Sequence, residues 1–427
     1  MNLLKKTESI CNECYEVVPA KIYEQEGIVY MKKRCDKHGT QKSIIETDAY
    51  FYKVKFHKYM GKYTWPALSS PISLTIPLTH KCNMSCNTCF FPFHTKDMNT
   101  KEIFDIIKSF KGECIRLSGG EPTLRKDLPE ILKFIKNQGK THSLLTNGVA
   151  LADEQVVEKL KRAGLTTVNF TINSLRGGDY RDNTTYKRKS ISSDILLRAL
   201  SNLKKNRIFV VFSTLLVRGD NEDELNKIWS YYLDNPDFIV EWRIRAAVKI
   251  GRYTSKKPFF LSEMFNLICN MLSLDSKLLL HQFAQTKEAH RPFDCLDLYL
   301  YYLTTKDAKQ LLFVEFNEPS YDNGVKEKIA FSRRLIANGG ARSFFYYIKK
   351  RIHGDCKVNL YKIKLRRWPM RYDIDLDELG YCRSAGLCED GTIHPFCYSL
   401  IRNEAVVKKQ KNKRELNYKS NNKSRAY

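Results

Sequence analysis

Three closely spaced cysteines carry the clearest chemistry in this chain. Cys82, Cys86 and Cys89 form the pattern CxxxCxxC directly after an apolar run that predicts a β-strand. Thiolates are soft ligands that suit iron–sulfur clusters, and a [4Fe–4S] cluster usually takes four protein ligands. Three cysteines would therefore leave one iron open to a small molecule.

Two other interpretations of these cysteines stay open on spacing alone. They could belong to a zinc site with His80 or His94 as the fourth ligand, because structural zinc prefers four closed ligands. They could also be small buried apolar side chains. The aromatic residues Phe90 and Phe91 after the last cysteine, and a second motif downstream, favour the cluster.

The second motif is a glycine pair followed by a glutamate. Gly119, Gly120 and Glu121 come directly after the next predicted strand. Glycine allows a backbone to approach a ligand closely, and a carboxylate complements an ammonium group. Because the motif is short, it indicates a ligand-binding loop only in combination with the preceding CxxxCxxC pattern.

A separate set of metal ligands precedes these motifs. Cys11, Cys14, Cys35 and His38 form the pattern CxxC…CxxH around a predicted hairpin. Four ligands of this kind are typical of a closed tetrahedral site that stabilises a segment too small for its own core. We expect zinc or a single iron here, and the alternative is that His38 is only a turn residue.

A third group of cysteines lies near the end of the chain. Cys382, Cys388 and Cys397 are close in sequence and predict an auxiliary iron–sulfur cluster, with buried structural cysteines as the alternative. A fourth ligand could be Cys356, Cys295, a substrate atom or none. We interpret the two other cysteines, Cys114 and Cys269, as packing residues.

Alternating strand and helix patterns must position the first two motifs. The predicted strands, separated by amphipathic helical patterns, are 73–79, 114–117, 141–145, 167–172, 208–216 and 239–245. Six such units predict an α/β fold that forms a partial (β/α)6 barrel. The CxxxCxxC loop and the glycine loop follow the first and second strands, so both belong to the rim where such barrels carry their chemistry.

Composition limits the remaining possibilities. The chain has 427 residues, 43% of them hydrophobic, with neither a membrane-length apolar segment nor a secretory signal, so we expect a cytoplasmic protein. Thirteen cysteines then indicate metal ligands rather than disulfides. The net charge of +25 is spread along the chain, which favours a solvated basic surface over a nucleic-acid site.

These patterns predict four segments. We expect the metal-binding N-terminal unit in 1–60, the barrel in 71–255, an auxiliary or substrate domain in 256–401 and a basic, disordered tail in 402–427.

The combined motifs resemble the radical S-adenosylmethionine (radical SAM) superfamily. The whole layout, from the N-terminal cysteines to the late Asp390-Gly-Thr-Ile-His-Pro-Phe-Cys397, is similar to the archaeal pterin methyltransferase and tetraether lipid synthase branch. It departs from that branch in the segment before Cys382 and in the sequence CRSAGLC.

This resemblance implies cofactors and further site residues. Cys82, Cys86 and Cys89 would hold a [4Fe–4S] cluster whose open iron is chelated by S-adenosylmethionine, and flavodoxin or ferredoxin would supply electrons. Reductive cleavage would yield methionine and a 5′-deoxyadenosyl radical. By resemblance, the cofactor-binding residues would also include Asn147, Asn173, Ser174 and Arg245.

Two enzymatic functions remain open from the sequence. One is a radical enzyme that methylates, or forms C–C bonds on, a small molecule or lipid. The other is a peptide-modifying maturase with an auxiliary cluster. A non-enzymatic scaffold that binds nucleic acid would leave the glycine–glutamate loop unexplained.

Overall fold

The N-terminal residues form a small antiparallel sheet, which we call the ribbon. In this computed structural model its strands are β1 (Asn2–Ile10), β2 (Val17–Gln25), β3 (Ile28–Cys35) and β4 (Gly39–Glu46), paired in chain order. The turns β1–β2 and β3–β4 carry the predicted metal ligands. Helix α1 (Ala49–Met60) follows, and its Tyr52 packs with Ile22 and Met31 of the ribbon.

The description covers residues 1–60, 71–84, 86, 88–91, 97–175, 192–251, 257–285, 295–306, 308–316, 335, 345–350, 356–380 and 382–406. His94, the predicted boundary near residue 255 and most of the predicted tail lie outside these ranges.

A second sheet contains eleven strands in the order β12-β11-β13-β10-β9-β8-β7-β6-β5-β14-β15. Its six central strands are β5 (Ser73–Thr79), β6 (Cys114–Gly119), β7 (Thr141–Thr146), β8 (Thr167–Thr171), β9 (Phe209–Leu216) and β10 (Ile239–Ala246). All neighbouring pairs among them are parallel. The predicted α/β fold with six βα units is therefore confirmed, with strand limits within two residues of those expected.

Helices connect the parallel strands and cover the sheet. They are α2 (Thr100–Ser109), α3 (Leu128–Asn137), α4 (Glu154–Arg162), α5 (Ser193–Lys205) and α6 (Leu225–Asp234). The N-terminus of α2 is fixed by side chains of the local sequence. Asn99 and Glu102 form a reciprocal capping box, with 2.9 Å from Glu102 N to Asn99 Oδ1 and 2.8 Å from Asn99 N to Glu102 Oε2.

Strands from the C-terminal region extend the same sheet at both edges. They are β11 (Cys295–Thr304), β12 (Lys309–Glu315), β13 (Lys357–Arg366), β14 (Ser384–Leu387) and β15 (Ile393–Pro395). β13 is parallel to β10, and β14 is parallel to β5. The sequence patterns did not predict that this region would join the barrel sheet.

The remaining described helices lie in the same C-terminal region. They are α7 (Leu261–Met271), α8 (Ser276–Gln285), α9 (345–350), α10 (Leu376–Leu379) and α11 (396–406). α11 extends beyond Arg402, where the tail was predicted to begin. Arg402 pairs with Asp390 at 2.8 Å and Glu404 with Arg371 at 2.9 Å, and these ion pairs hold the helix end.

One continuous apolar core lies between the barrel sheet and its helices. It includes fully buried residues of the central strands, such as Ile76, Leu117 and Phe170. This packing fixes the strand ends, and with them the loops that carry the motifs.

Candidate active site

The glycine–glutamate loop packs directly on the start of the cysteine loop (residues 80–91). Gly120 N donates to Thr79 O at 2.7 Å, and Glu121 N donates to Lys81 O at 2.8 Å. A Cβ on Gly119 would lie 2.4 Å from Thr79 O, and one on Gly120 would lie 2.2 Å from Lys81 O. The glycines therefore allow two backbones to meet, and the predicted close approach of a ligand to them stays a prediction.

Glu121 lies behind this junction and is 1% exposed. Its Oε1 accepts hydrogen bonds from Thr123 Oγ1 and Thr146 Oγ1, both at 2.7 Å, and its Oε2 accepts one from Asn147 N at 2.8 Å. Burial raises the pKa of its carboxyl group, although these hydrogen bonds act in the opposite direction. The carboxylate of Glu121 therefore joins its own loop to the loop after β7, and its contact with an ammonium group stays a prediction.

Asn147 connects the loop after β7 to the cysteine loop. Its Nδ2 donates to Asn83 Oδ1 at 2.8 Å, and its Oδ1 accepts from Val149 N at 3.0 Å. The following Gly148 has φ +81°, and a Cβ there would lie 2.4 Å from the Phe170 ring. Asn147 therefore lines the same cavity as the cysteines, and its role in cofactor binding stays a prediction.

These loops enclose a cavity, which we call the main cavity. Its lining brings together all three cysteines of the CxxxCxxC pattern with Ser118, Gly119, Gly120 and Asn147. The polar lining residues that lie on β8, β9 and β10, or directly after β8, are Asn169, Thr171, Asn173, Ser213, Arg243 and Arg245. Met84, Phe90, Phe91 and Leu215 are among the apolar residues that line the rest.

Arg245 is the predicted site residue with the most distinctive surroundings. Its Nη2 donates to Ser213 Oγ, its guanidinium lies 5.1 Å from the Trp368 ring centre, and its buried Nε has no hydrogen-bond partner in the described part of the chain. Burial, followed by the neighbouring charge of Arg243, lowers the pKa of Arg245 to about 10. This cation faces the cavity and suits an anionic group.

Arg243 was not singled out from the sequence, although it lies two residues before Arg245 on β10. Its Nη1 donates to Asn169 Oδ1 at 3.0 Å, and its Nε donates to Glu241. Glu241 also pairs with Lys364 at 2.6 Å. The period-2 repeat of Glu241, Arg243 and Arg245 is the signal that would have revealed it.

Asn173 and Ser174 have different surroundings although they are adjacent. Asn173 lines the main cavity, while its Oδ1 accepts from Leu215 N at 2.8 Å. Ser174 is not among the lining residues, and its Oγ donates to Glu224 Oε2 at 2.5 Å. The hydroxyl of Ser174 is thus held by a buried carboxylate outside the cavity lining, and its contact with a cofactor stays a prediction.

The end of the cysteine loop packs against the loop after β10. Gly251 has φ +67°, and a Cβ there would lie 2.4 Å from Cys89 O. Phe90 packs edge-on against Trp368 with ring centres 4.5 Å apart. The C-terminal region therefore helps to fix the cysteine loop, and Arg252, next to Gly251, lies outside the described residues.

In the ribbon, the four predicted ligands converge. Their ligand atoms all lie within 4.8 Å of one another, with Cys11 Sγ and Cys35 Sγ each 3.5 Å from His38 Nδ1. Among the described residues this is the one group of at least three Cys, His, Asp or Glu ligands so closely spaced. Three sulfurs and one imidazole nitrogen fit a tetrahedral zinc site, and they fit a single iron equally well.

The late cysteines do not all lie together. Cys382 and Cys397 line a second cavity, and the third cysteine of this lining is Cys295. Cys388 is absent from the lining and is 4% exposed in the turn after β14. Of the two candidates named for a fourth ligand, the structure therefore brings Cys295 to this cavity, and Cys356 packs elsewhere, near Tyr347 and Leu360.

Family comparisons agree with this geometry. Residues 76–230 match the radical SAM superfamily, and residues 3–47 match the HMPTM N-terminal zinc ribbon domain. The predicted resemblance to the radical SAM superfamily and the predicted N-terminal metal-binding unit are thus confirmed over these residues.

Individual relatives cover parts of the chain. It is 32% identical over 282 residues to the 7,8-dihydro-6-hydroxymethylpterin dimethyltransferase of Methanocaldococcus jannaschii, covering 59% of this chain and 55% of that protein. It is 43% identical over 117 residues to a probable GTP 3′,8-cyclase of Methanococcus maripaludis, covering 26% of this chain and 39% of that protein. The chain thus matches only about half, or less, of these relatives' length.

Among solved structures, SuiB of Streptococcus suis bound to S-adenosylmethionine aligns with 14% identity and a TM-score of 0.41. The alignment covers 62% of this chain and 69% of SuiB. Separately, none of the helices in the described ranges is both long and apolar enough to cross a membrane.

Proposed function

We propose that this protein is a radical SAM enzyme that methylates, or forms a C–C bond on, a small molecule or lipid. One observation carries the proposal. Three half-buried cysteines and a cationic, amide-rich wall line one cavity at the carboxyl ends of parallel strands. The match to a pterin dimethyltransferase, together with the separate match of residues 3–47 to the HMPTM zinc ribbon domain, supports this branch over others.

The cavity residues suit the groups of S-adenosylmethionine. Cys82, Cys86 and Cys89 would hold a [4Fe–4S] cluster, which when bound supplies the electron that cleaves S-adenosylmethionine to methionine and a 5′-deoxyadenosyl radical. Arg245 can bind a carboxylate, and the amides of Asn147 and Asn173 can bind hydroxyl groups.

The protein otherwise orients substrate and excludes water. Met84, Phe90, Phe91 and Leu215 supply apolar walls beside the cysteines. Such walls protect a reactive radical from side reactions.

We propose flavodoxin or ferredoxin as the electron donor.

The test of this function is cleavage of S-adenosylmethionine. Anaerobically reconstituted protein given dithionite should release 5′-deoxyadenosine, and the triple variant Cys82→Ala/Cys86→Ala/Cys89→Ala should not. The ribbon metal content of the variant provides the folding control, because those ligands are untouched. No release from cluster-loaded wild-type protein would contradict the proposal.

Substrate class needs a second readout. With methyl-labelled S-adenosylmethionine, mass spectrometry should show label or new C–C bonds in a pterin or an isoprenoid lipid. If only peptides encoded beside the gene are modified, the maturase alternative replaces this part of the proposal.

A further inference from the structure

One face of the ribbon carries a row of lysines that crosses all four of its strands. In the strand pairing Lys6 lies opposite Lys21, which lies opposite Lys32, and Lys32 lies opposite Lys42. Residues directly opposite each other in antiparallel strands place their side chains on the same face of the sheet. All four side chains are exposed, and we call this set the lysine row.

The lysine row has no acidic partner in the described part of the chain. None of its four ammonium groups forms an ion pair there. Other lysines of the ribbon and of α1 do form such pairs: Lys5 with Asp375 at 2.8 Å, Lys37 with Glu16 at 2.7 Å and Lys53 with Glu24 at 2.6 Å. The ribbon therefore uses carboxylates to pair its other lysines but not these four.

This arrangement works against the stability of the ribbon. Like charges directly opposite each other destabilise a sheet, whereas opposite charges in the same positions stabilise it. Arg34, two residues after Lys32 on the same strand, is also exposed and adds a further positive charge to this face. An anionic partner that binds the face would remove this repulsion.

A second row of side chains lies beside the lysine row on the same face. Leu3 lies opposite Tyr23, which lies opposite Tyr30, and Tyr30 lies opposite Ile44. Leu3 is 50% exposed and Ile44 is 36% exposed. The two tyrosine rings stack with centres 5.6 Å apart, and Lys42 Nζ lies 3.9 Å from the centre of the Tyr30 ring. We call this second set the apolar row.

The spacing of the two rows fits an α-helix that lies across the strands. Neighbouring strands are about 4.8 Å apart, so the lysine row extends over about 14 Å. Side chains three or four residues apart on a helix have Cβ atoms about 5–6 Å apart. Such a helix can place one carboxylate near each lysine while its adjacent apolar stripe contacts Leu3 and Ile44.

Other anionic partners fit this face less well. Single-stranded nucleic acids bind by stacking their bases on open aromatic rings, but Tyr23 is 4% exposed and Lys42 covers Tyr30. A bilayer surface requires no ordered row of charges, and it gains from apolar side chains that insert between lipids. The buried Tyr23 at the centre of the apolar row offers little to insert.

We propose that this face of the ribbon, formed by the lysine row and the apolar row, docks an acidic amphipathic helix of a protein partner. Opposite charges would steer the encounter and set the orientation of the helix on the face. None of the residues in the two rows lines the main cavity, so the proposal does not depend on the proposed reaction.

Fluorescence anisotropy with the full-length protein and two synthetic peptides tests this surface. The probe is a labelled helix of about 20 residues with glutamates at i, i+4, i+7 and i+11 and leucines on the adjacent stripe. The control peptide has the same composition, with its glutamates spread around the helix. The probe should bind about 10-fold more tightly than the control peptide, and added salt should weaken its binding because exposed charges are screened.

Charge reversal within the row supplies the matched protein variants. Lys21→Glu/Lys32→Glu should weaken binding of the probe at least about 10-fold, because two attractive contacts become repulsive. Lys133→Glu/Lys159→Glu makes the same change in net charge at exposed positions of α3 and α4, and its Kd should stay within about twofold of wild type. Circular dichroism and ribbon metal content show that both variants fold.

Three results would overturn the inference. Equal binding of the two peptides would show attraction by net charge alone, and so would equal losses in the two double variants. The third is that the probe does not bind at low salt. If vesicles of phosphatidylglycerol or a single-stranded RNA oligonucleotide then bind wild-type protein but not Lys21→Glu/Lys32→Glu, the face belongs to a lipid surface or to a nucleic acid instead.

Discussion

At the scale of single residues, charge and burial determine which predicted side chains can meet a ligand. Arg245 and Glu121 were both predicted to bind the cofactor, but only Arg245 faces the main cavity. Glu121 is 1% exposed and has both oxygens engaged by neighbouring loops. The structure therefore assigns Glu121 a role in holding neighbouring loops together, and places Arg245 on the cavity wall.

Replacing Arg245 tests its role as an anion-binding residue. For Arg245→Gln, the Kd for S-adenosylmethionine should rise about 10- to 100-fold, since a charge-assisted hydrogen bond contributes about 1.5–3 kcal/mol. Anaerobic titration calorimetry gives this value. Arg218→Gln is the control, because Arg218 pairs with Glu263 at 2.6 Å and does not line the cavity.

The same Arg245→Gln variant would give a different result if Arg245 bound the substrate. If the Kd is unchanged while product formation falls and 5′-deoxyadenosine release persists, Arg245 binds an anionic group of the substrate instead. The expected contact with S-adenosylmethionine would then be wrong.

At the scale of elements, the site depends on how closely the loops after β5 and β6 approach. The carbonyls of Thr79 and Lys81 accept hydrogen bonds from the glycine–glutamate loop, and the space for a side chain is missing at both glycines. The close approach of the two loops thus requires glycine at both positions, and both glycines also line the main cavity.

Gly120→Ala should therefore displace the cysteine loop. Its Cβ would lie 2.2 Å from Lys81 O, and relieving such overlap costs about 1–3 kcal/mol. We expect lower reconstituted cluster content and at least a severalfold loss of 5′-deoxyadenosine release. The control is Gly139→Ala, where φ is +69° but no atom lies within 4 Å of the added Cβ.

The two variants distinguish the effect of backbone strain at a left-handed residue from the effect of steric overlap between the two loops. Gly139→Ala should cost about 1 kcal/mol through its left-handed backbone and leave the cluster intact. Equal cluster content and activity in both variants would show that the loop contact does not position the cysteines.

At the scale of the whole molecule, the ribbon is joined to the C-terminal region by a buried lysine. Lys33 is 1% exposed, and its Nζ donates to Ile10 O at 2.7 Å and Arg371 O at 2.6 Å. Burial lowers the pKa of this ammonium to about 8, from an ordinary 10.5. The ribbon thus docks where it also helps to close the second cavity.

The lowered pKa of Lys33 predicts how the stability of the protein depends on pH. Between about pH 8 and 10.5 the unfolded chain binds more protons at Lys33 than the folded one, so this residue makes stability rise with pH. The variant Lys33→Met should lack that rise. Melting temperatures of both proteins at pH 7.5, 9 and 10 measure it, and parallel curves would contradict the assigned pKa.

The sequence by itself determined the features that depend on local spacing. The strand limits, the ribbon ligands and the placement of both loops on one rim follow from side-chain periodicity, ligand spacing and chain connectivity. The resemblance of residues 76–230 to the radical SAM superfamily was recognisable because three cysteines lie within one loop.

Only the tertiary structure decided which distant residues meet. The strand β13 lies beside β10, and Cys295 lies beside Cys382 and Cys397, across gaps in sequence that no local pattern spans. Likewise, the hydroxyl of Ser174 is held by Glu224, fifty residues away. Such contacts arise from the packing of whole elements, because burying their shared apolar surface fixes where their polar groups face.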